Sequence, residues 1–181
     1  MKKVTLLLFL LACPLHVFSG TRYVSQSSPT NGPGTAWENA FHNIQSAIDA
    51  ADSNDTVLVE SGVYSSGSRA TPGGVLLNRI VVLKPLMIIG FNGPATTFIA
   101  GTGPLGDSAV RCAYITNGVT LTGFTLSNGF TRASSSYDYF LDRSGGGVYS
   151  AGGIVSNCVF ANCSAYFYGG GIYQQGTTTF C

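Results

Sequence analysis

The 181 residues are enough for one domain, or for the beginning of a longer one, and only 9% of them are charged. Glycine is frequent, with 24 residues, and the mean hydropathy is positive. This composition argues against a helical protein with a charged surface and is typical of secreted β-rich chains. The formal net charge is +1 and no basic stripe occurs, so nucleic acid is not expected as a partner.

Residues 1–20 have the pattern of a secretory signal peptide. Lys2 and Lys3 form a charged start, residues 4–11 form a short apolar run, and small or apolar residues at 17–19 precede a cleavage point near Gly20. The run is far shorter than the roughly 20 apolar residues that a membrane-spanning helix needs. The sequence therefore predicts an exported protein without a transmembrane helix.

Cys13 introduces an alternative to ordinary secretion. Residues 10–13, Leu-Leu-Ala-Cys, resemble a bacterial lipoprotein cleavage box, in which Cys13 would be lipidated and retained at the cell surface. We favour ordinary secretion because the apolar run continues past Cys13 to Phe18. A lipid anchor at Cys13 stays open as the alternative.

Residues 21–55 are predicted to form an N-terminal loop followed by a capping helix. Residues 21–34 are polar and punctuated by proline and glycine, which favours a loop. Thr35 and Glu38 have the spacing of a helix capping box. The following apolar residues have steps of three and four, as on one face of a helix of about three turns: Phe41, Ile44, Ile48 and Ala51. We expect this amphipathic helix to cover one end of a solenoid core.

Residues 56–181 are predicted to be all-β. Short apolar segments follow one another, separated by glycine, asparagine and proline, at residues 56–59, 75–77, 80–83, 86–89, 98–99, 110–115 and 119–126. No second helix is predicted between them, although ordinary parallel strands need a helical crossover. A chain that winds on in successive coils avoids this need, and such winding is right-handed by the usual chirality.

An internal repeat near the end of the chain supports this solenoid. Residues 145–149, Gly-Gly-Gly-Val-Tyr, return at 169–173 as Gly-Gly-Gly-Ile-Tyr with an offset of 24. Tyr149 is therefore expected above Tyr173, as a stacked ladder rather than a platform for a sugar ring. Residues 119–126 fit the segment before Cys158 at an offset of 34 or 35. The excess over one period indicates that residues 130–143 are a loop inserted into a coil.

Four cysteines remain after the predicted leader, Cys112, Cys158, Cys163 and Cys181, and they permit three disulfide connectivities. Cys158 and Cys181 occupy equivalent repeat positions, so they are expected to stack on adjacent strands. We favour a buried stack of free thiols at that position, because parallel Cβ vectors do not suit a disulfide.

Several segments resemble right-handed parallel β-helix proteins. Trp-Glu-Asn-Ala-Phe at 37–41, the helix motif at 44–51, Asp-Thr-Val-Leu-Val at 55–59 and Gly-Val-Tyr at 62–64 resemble the opening of such proteins. Gly-Phe-Thr at 123–125 and the Gly-Gly-Gly-Val/Ile-Tyr units resemble coils of bacterial polymorphic outer-membrane (autotransporter-like) and related surface proteins. The resemblance covers residues 37–181 and implies a cell-surface β-helix. One departure is that Asn162 follows Phe160 one place earlier than the Phe-x-x-Asn of those repeats.

Residues 136–143 are the best candidate for ligand binding. Aromatic and charged side chains concentrate there in a chain otherwise poor in charge: Tyr137, Asp138, Tyr139, Asp142 and Arg143. Loops held by rigid scaffolds are where binding residues usually occur. The alternative is a solvent-exposed loop without a binding role, held in place by a local Asp–Arg pair.

No catalytic, metal or cofactor set is visible in the sequence. His42 is the one histidine beyond the leader, so neither a Ser-His-Asp triad nor a two-histidine metal site has a basis. The favoured function is a structural or binding module that contacts a polysaccharide or cell-surface glycan. The alternative is the non-catalytic N-terminal part of a polysaccharide lyase or glycoside hydrolase of the pectate-lyase-like type. We expect further coils, or a partner, to cover the C-terminal end of the solenoid.

Overall fold

The computed structural model describes residues 19–134 and 140–175 and shows a parallel β-solenoid of about four turns with one short α-helix. Residues 1–18 of the predicted leader and Cys181 lie outside the described residues. The described strands, in chain order, are β1 (Thr21–Val24), β2 (Thr56–Val59), β3 (Gly62–Tyr64), β4 (Arg69–Ala70), β5 (Leu77–Val82), β6 (Met87–Gly90), β7 (Thr97–Ala100), β8 (Val110–Thr116), β9 (Thr120–Thr122), β10 (Thr125–Ser127), β11 (Val148–Ala151), β12 (Ile154–Ser156), β13 (Val159–Ala161) and β14 (Ile172–Gln174).

The strands form three sheets that surround one core. Sheet 1 has the order β1-β2-β6-β9-β12, sheet 2 has β13-β10-β7-β3, and sheet 3 has β14-β11-β8-β5-β4. All pairings between the described strands are parallel except that of β4 with β5, which is antiparallel. The chain visits the sheets in turn, so each parallel pair joins strands of successive coils. This is the winding that the strand pattern and the missing crossover helices predict.

The coils are longer than the repeat at the end of the chain suggests. In sheet 1 the register runs from Thr21 to Thr56, Met87, Thr120 and Ile154, which are steps of 35, 31, 33 and 34 residues. The offset that the sequence left open between 34 and 35 is therefore 34. A coil length of 24 residues applies to the last described turn and not to the earlier ones, because those turns carry longer connections between sheets.

The repeat itself is confirmed and so is the inserted loop. Val148 pairs with Ile172, an offset of 24, whereas Phe130 bridges Ser164, an offset of 34. The ten-residue difference arises between Phe130 and Val148, where the sequence predicts an insertion. Gly146 lies at the end of this loop, and a Cβ there would come within 2.7 Å of the carbonyl oxygen of Gly170. Glycine is needed because neighbouring coils approach so closely.

The N-terminal region differs from the prediction in two respects. Thr21–Val24 is a strand, β1, rather than part of a loop, because it finds a parallel partner in β2. The predicted helix after Thr35 is divided into a 3-10 helix, Trp37–Asn39, and an α-helix, α1, Ile44–Ala50. The residue that caps α1 is Asn43, whose side chain accepts hydrogen bonds from the main-chain N–H groups of Gln45 and Ser46 at 2.8 and 3.3 Å. The Thr35–Glu38 capping box is therefore wrong.

The core is continuous from α1 to the last described coil. The helix contributes Ile44, Ala47 and Ile48, and the three sheets contribute further buried aliphatic residues and Phe124. At the corner after sheet 2, Asn128 and Asn162 follow paired residues of β10 and β13 and both have positive φ, 52° and 53°. Although Asn162 stands one place early for the surface repeat, it therefore occupies the same position as the asparagine one coil before it.

Candidate functional site

The candidate site is a groove of about 490 Å³ on the outer face of sheet 3, called here the aromatic groove. Its described lining residues are all uncharged: Tyr114, Phe140, Leu141, Tyr149, Tyr173 and Gln175. Sheet 3 supplies the tyrosines and the inserted loop supplies Phe140 and Leu141. The groove therefore brings together two features that the sequence singled out separately, the tyrosine repeat and the inserted loop.

The floor of the groove is a ladder of three tyrosines. Tyr114, Tyr149 and Tyr173 occupy equivalent positions on β8, β11 and β14, which confirms the predicted stacking of the last two. Ring centroids are 5.5 Å apart between the first pair and 5.0 Å between the second. The Tyr149 hydroxyl donates a hydrogen bond to the Gln175 side chain at 3.1 Å. Tyr114 and Tyr149 are buried, 8% and 2% exposed, so the partly exposed Tyr173 is the member of the ladder that is most accessible to a ligand.

Two exposed aromatic rings lie at the edge of the groove: Phe140, which lines it, and Tyr168, which contacts the lining residues Phe140 and Tyr173. Phe140 and Tyr168 are 49% and 56% exposed and stack on each other with centroids 6.2 Å apart and an interplanar angle of 11°. Tyr168 also lies 6.2 Å from Tyr173, at 26°. An exposed group of aromatic rings beside a groove commonly marks a binding surface, since such rings bury much apolar area on contact.

Arg111 lies beside the ladder and is completely buried. Its guanidinium is 5.2 Å from the centre of the Tyr149 ring. It donates hydrogen bonds to the carbonyl oxygens of Gly145 and Ser144, each at 2.8 Å, and of Leu141, and to side-chain oxygens of Asn78 at 2.9 Å and Thr71 at 3.3 Å. One side chain therefore connects the inserted loop with the preceding coil.

Burial lowers the pKa of Arg111 to about 9, and the nearby charges of Asp142 and the tyrosines oppose this effect. The guanidinium is still protonated at neutral pH. All five atoms that accept hydrogen bonds from Arg111 are oxygens, which favours the charged form of the guanidinium. Arg111 therefore places a positive charge beneath the loop, without being among the described residues that line the groove.

Asp142 fixes the inserted loop to the preceding coil. It is completely buried, and its carboxylate accepts hydrogen bonds from the main-chain N–H groups of Val75, at 3.0 Å, and Leu76, at 2.9 Å. Arg143 has different partners, because its guanidinium lies 5.2 Å from the ring centres of both Tyr166 and Phe167. The two charged residues thus hold the loop to its neighbours on either side.

The predicted site residues fall into two groups. Tyr137, Asp138 and Tyr139 lie outside the described residues. Asp142 and Arg143 are described, and their contacts anchor the loop that carries Phe140 and Leu141 into the groove.

Sequence reasoning missed Arg111 and Tyr168. Arg111 had one available signal, a charged residue within the apolar strand segment 110–115. An isolated charge in a strand that is otherwise buried needs partners, and this indicates a polar network. Tyr168 had no comparable signal, because its exposure depends on how the last coil turns.

Within residues 19–134 and 140–175, no group of three or more His, Cys, Asp and Glu side chains could hold a metal ion. In the same described ranges, no helix has both the length and the apolar character to cross a membrane. The fold places the chain in the class of parallel β-solenoids. Comparison with protein-family models, with curated proteins and with solved structures gives no match for this chain.

Proposed function

We propose that this chain is an exported β-helix module that binds a polysaccharide or cell-surface glycan in the aromatic groove. The observation that supports this proposal is the combination of exposed rings and hydroxyl groups in one concave surface. Sugars present apolar C–H faces and polar hydroxyl edges, so they suit sites that combine aromatic rings with a few hydrogen-bonding groups. The stacked rings of Phe140 and Tyr168 would contact the faces, and the Tyr173 hydroxyl and the exposed Gln175 side chain would bind the edges.

The proposed ligand class rests on the charge of the described part of the groove. All six described lining residues are uncharged, and the guanidinium of Arg111 is occupied by protein oxygens. A neutral glycan is therefore favoured over an acidic one. Its binding should change little with ionic strength, because screening acts on charge–charge attraction.

The same proposal includes three further features of the chain: right-handed winding, a capping role for α1, and export. A right-handed coil is supported by the strong chirality of parallel crossovers. A capping role for α1 is supported by Ile44, Ala47 and Ile48, which pack on the core next to β1 and β2. Export is supported by the leader pattern of residues 1–20, with lipidation of Cys13 as the alternative anchor.

We also propose that further coils or a partner cover the last described turn. Phe160 and Ile172 pack against the core but are only partly buried. Their register neighbours one coil earlier, Leu126 and Val148, are completely buried. Val159, on the same turn, is 50% exposed. Another layer of chain would bury these apolar groups.

The test is a glycan-binding measurement on the full chain and on two groove variants. Neutral and acidic polysaccharides are screened by array, and affinities are then measured by calorimetry. Phe140→Ala and Tyr168→Ala should each weaken binding about 5- to 30-fold, because each removes about 1–2 kcal/mol of apolar contact. The matched control is Phe91→Ala, since Phe91 is 58% exposed and contacts Trp37 on another part of the surface.

Three outcomes decide the proposal. Loss of binding in the groove variants with unchanged binding in Phe91→Ala supports it. Equal binding by all variants, or no glycan bound at all, contradicts it. Release of new reducing or unsaturated sugar ends during the incubation would instead favour the lyase or hydrolase alternative.

A further inference from the structure

Two thiols meet in the core where sheets 2 and 3 join. Cys112 on β8 is completely buried, and Cys163 in the turn after β13 is partly buried. Cys112 Sγ donates a hydrogen bond to the carbonyl oxygen of Ser127 at 3.2 Å, and Cys163 Sγ donates one to that of Leu126 at 3.3 Å. Since Leu126 and Ser127 are consecutive residues of β10, both thiols reach the same strand end.

Gly129 leaves the space in which these thiols approach each other. A Cβ on Gly129 would lie 2.8 Å from Cys112 Sγ. Cys163 is the register neighbour of Gly129 one coil later, because Phe130 bridges Ser164. The side chain of Cys163 therefore begins about 4.8 Å further along the solenoid, beside the gap in front of Cys112.

The neighbouring Cys112 thiol lowers the pKa of Cys163, and burial raises the pKa of Cys112. Cys163 is therefore the thiol that more readily forms a thiolate, which is the reactive form in disulfide exchange. Cys158 differs, since burial raises its pKa and its thiol is directed toward the Leu121 carbonyl at 3.8 Å.

We propose that Cys112 and Cys163 form a disulfide bond when the chain folds in an oxidising compartment. The oxidant is a small-molecule disulfide. The Cys163 thiolate attacks one of its sulfurs and releases one small thiol; the Cys112 thiolate then attacks the Cys163 sulfur of the mixed disulfide and releases the second. The two protein thiols lose one proton each, and the oxidant is reduced to two thiols. The bond joins two coils through the core and does not depend on the proposed glycan groove.

The test is disulfide mapping of the full chain after folding with a mixture of oxidised and reduced small thiols. Free thiols are alkylated, and the chain is cleaved without reduction by trypsin and chymotrypsin. Cleavage after Phe160 separates Cys158 from Cys163. We expect mass spectrometry to find one linked peptide pair containing Cys112 and Cys163, with Cys158 alkylated. An alkylated Cys112, or Cys112 linked to another cysteine, would overturn the proposal.

Thermal unfolding gives a second, independent readout. Reduction should lower the Tm of the oxidised chain by about 5–15 °C, because the bond closes a long loop in the unfolded state. Cys163→Ser should remove this sensitivity to reductant, and the control Cys158→Ser should keep it. A Tm shift on reduction that persists in Cys163→Ser would also overturn the proposal. If Cys163→Ser does not fold, the peptide map of the unaltered chain still decides.

Discussion

Replacing Arg111 by methionine should destabilise the protein by about 3–5 kcal/mol. Arg111 donates five hydrogen bonds, three of them to the carbonyl oxygens of Gly145, Ser144 and Leu141. Each hydrogen bond from a charged donor contributes about 1.5–3 kcal/mol. Burying the guanidinium costs several kcal/mol, which offsets part of this stabilisation. Methionine removes that cost but leaves buried acceptors without donors, so the net effect is a loss.

The assay is urea unfolding followed by circular dichroism, with Arg132→Met as the matched control. Arg132 forms an ion pair with Asp107 at the surface; the two side chains are 19% and 77% exposed. A surface pair of this kind contributes about 0–1 kcal/mol. Arg111→Met should therefore lower the free energy of unfolding by several times more than Arg132→Met.

The result that would refute this reasoning is an Arg111→Met protein as stable as Arg132→Met. It would mean that the loop carbonyls rearrange to find water. Arg111→Lys adds a finer test, because lysine keeps the charge but has three donors in a different geometry. It should recover only part of the lost stability. Full recovery would show that charge, rather than the set of hydrogen bonds, is what holds the loop.

Two smaller predictions concern the α1 region. Asn43→Ala should cost about 1 kcal/mol in urea unfolding, because the N–H groups of Gln45 and Ser46 lose their acceptor; no change would argue against Asn43 as the cap. Burial raises the pKa of Asp49, but hydrogen bonds from Arg69 and Gln45 outweigh this effect, so its pKa falls below the ordinary 3.8. The unfolded chain therefore binds a proton first as pH falls, and Asp49 contributes stability above about pH 4 that disappears below its folded-state pKa. Asp49→Asn should lower the free energy of unfolding at pH 7 by less than about 1 kcal/mol, because the Asp49–Arg69 ion pair is half-exposed. This difference from the unaltered chain should vanish as the pH falls to 2. A difference that persists at pH 2 would contradict the reasoning.

The class of fold was predictable because its causes are local. Short β-branched runs separated by glycine and asparagine favour strands, and the absence of helices between them favours continuous winding. The return of Gly-Gly-Gly-Val/Ile-Tyr after 24 residues then placed Tyr149 beside Tyr173, which the register confirms. Repeated sequence determines repeated structure because equivalent residues must fit the same surroundings in each coil.

The tertiary structure decided the features that depend on distant partners. Thr21–Val24 is polar enough to resemble a loop, and it becomes a strand because β2 lies alongside it. The α-helix starts at Ile44 rather than after Thr35 because Asn43 provides the cap and the chain before it makes other contacts. Local signals of this kind compete, and the packed chain selects among them.

The candidate site shows the same division. The sequence by itself drew attention to residues 136–143, through their charges and aromatic rings, and to the tyrosine repeat. That Phe140 and Leu141 line the same groove as the tyrosine repeat, and that Asp142 and Arg111 are buried supports beneath it, follows only from how the coils stack. The physical reason is that burial and hydrogen bonding join residues 30 or more positions apart, such as Arg111 with Leu141 and Asn78, and sequence spacing carries no record of such contacts.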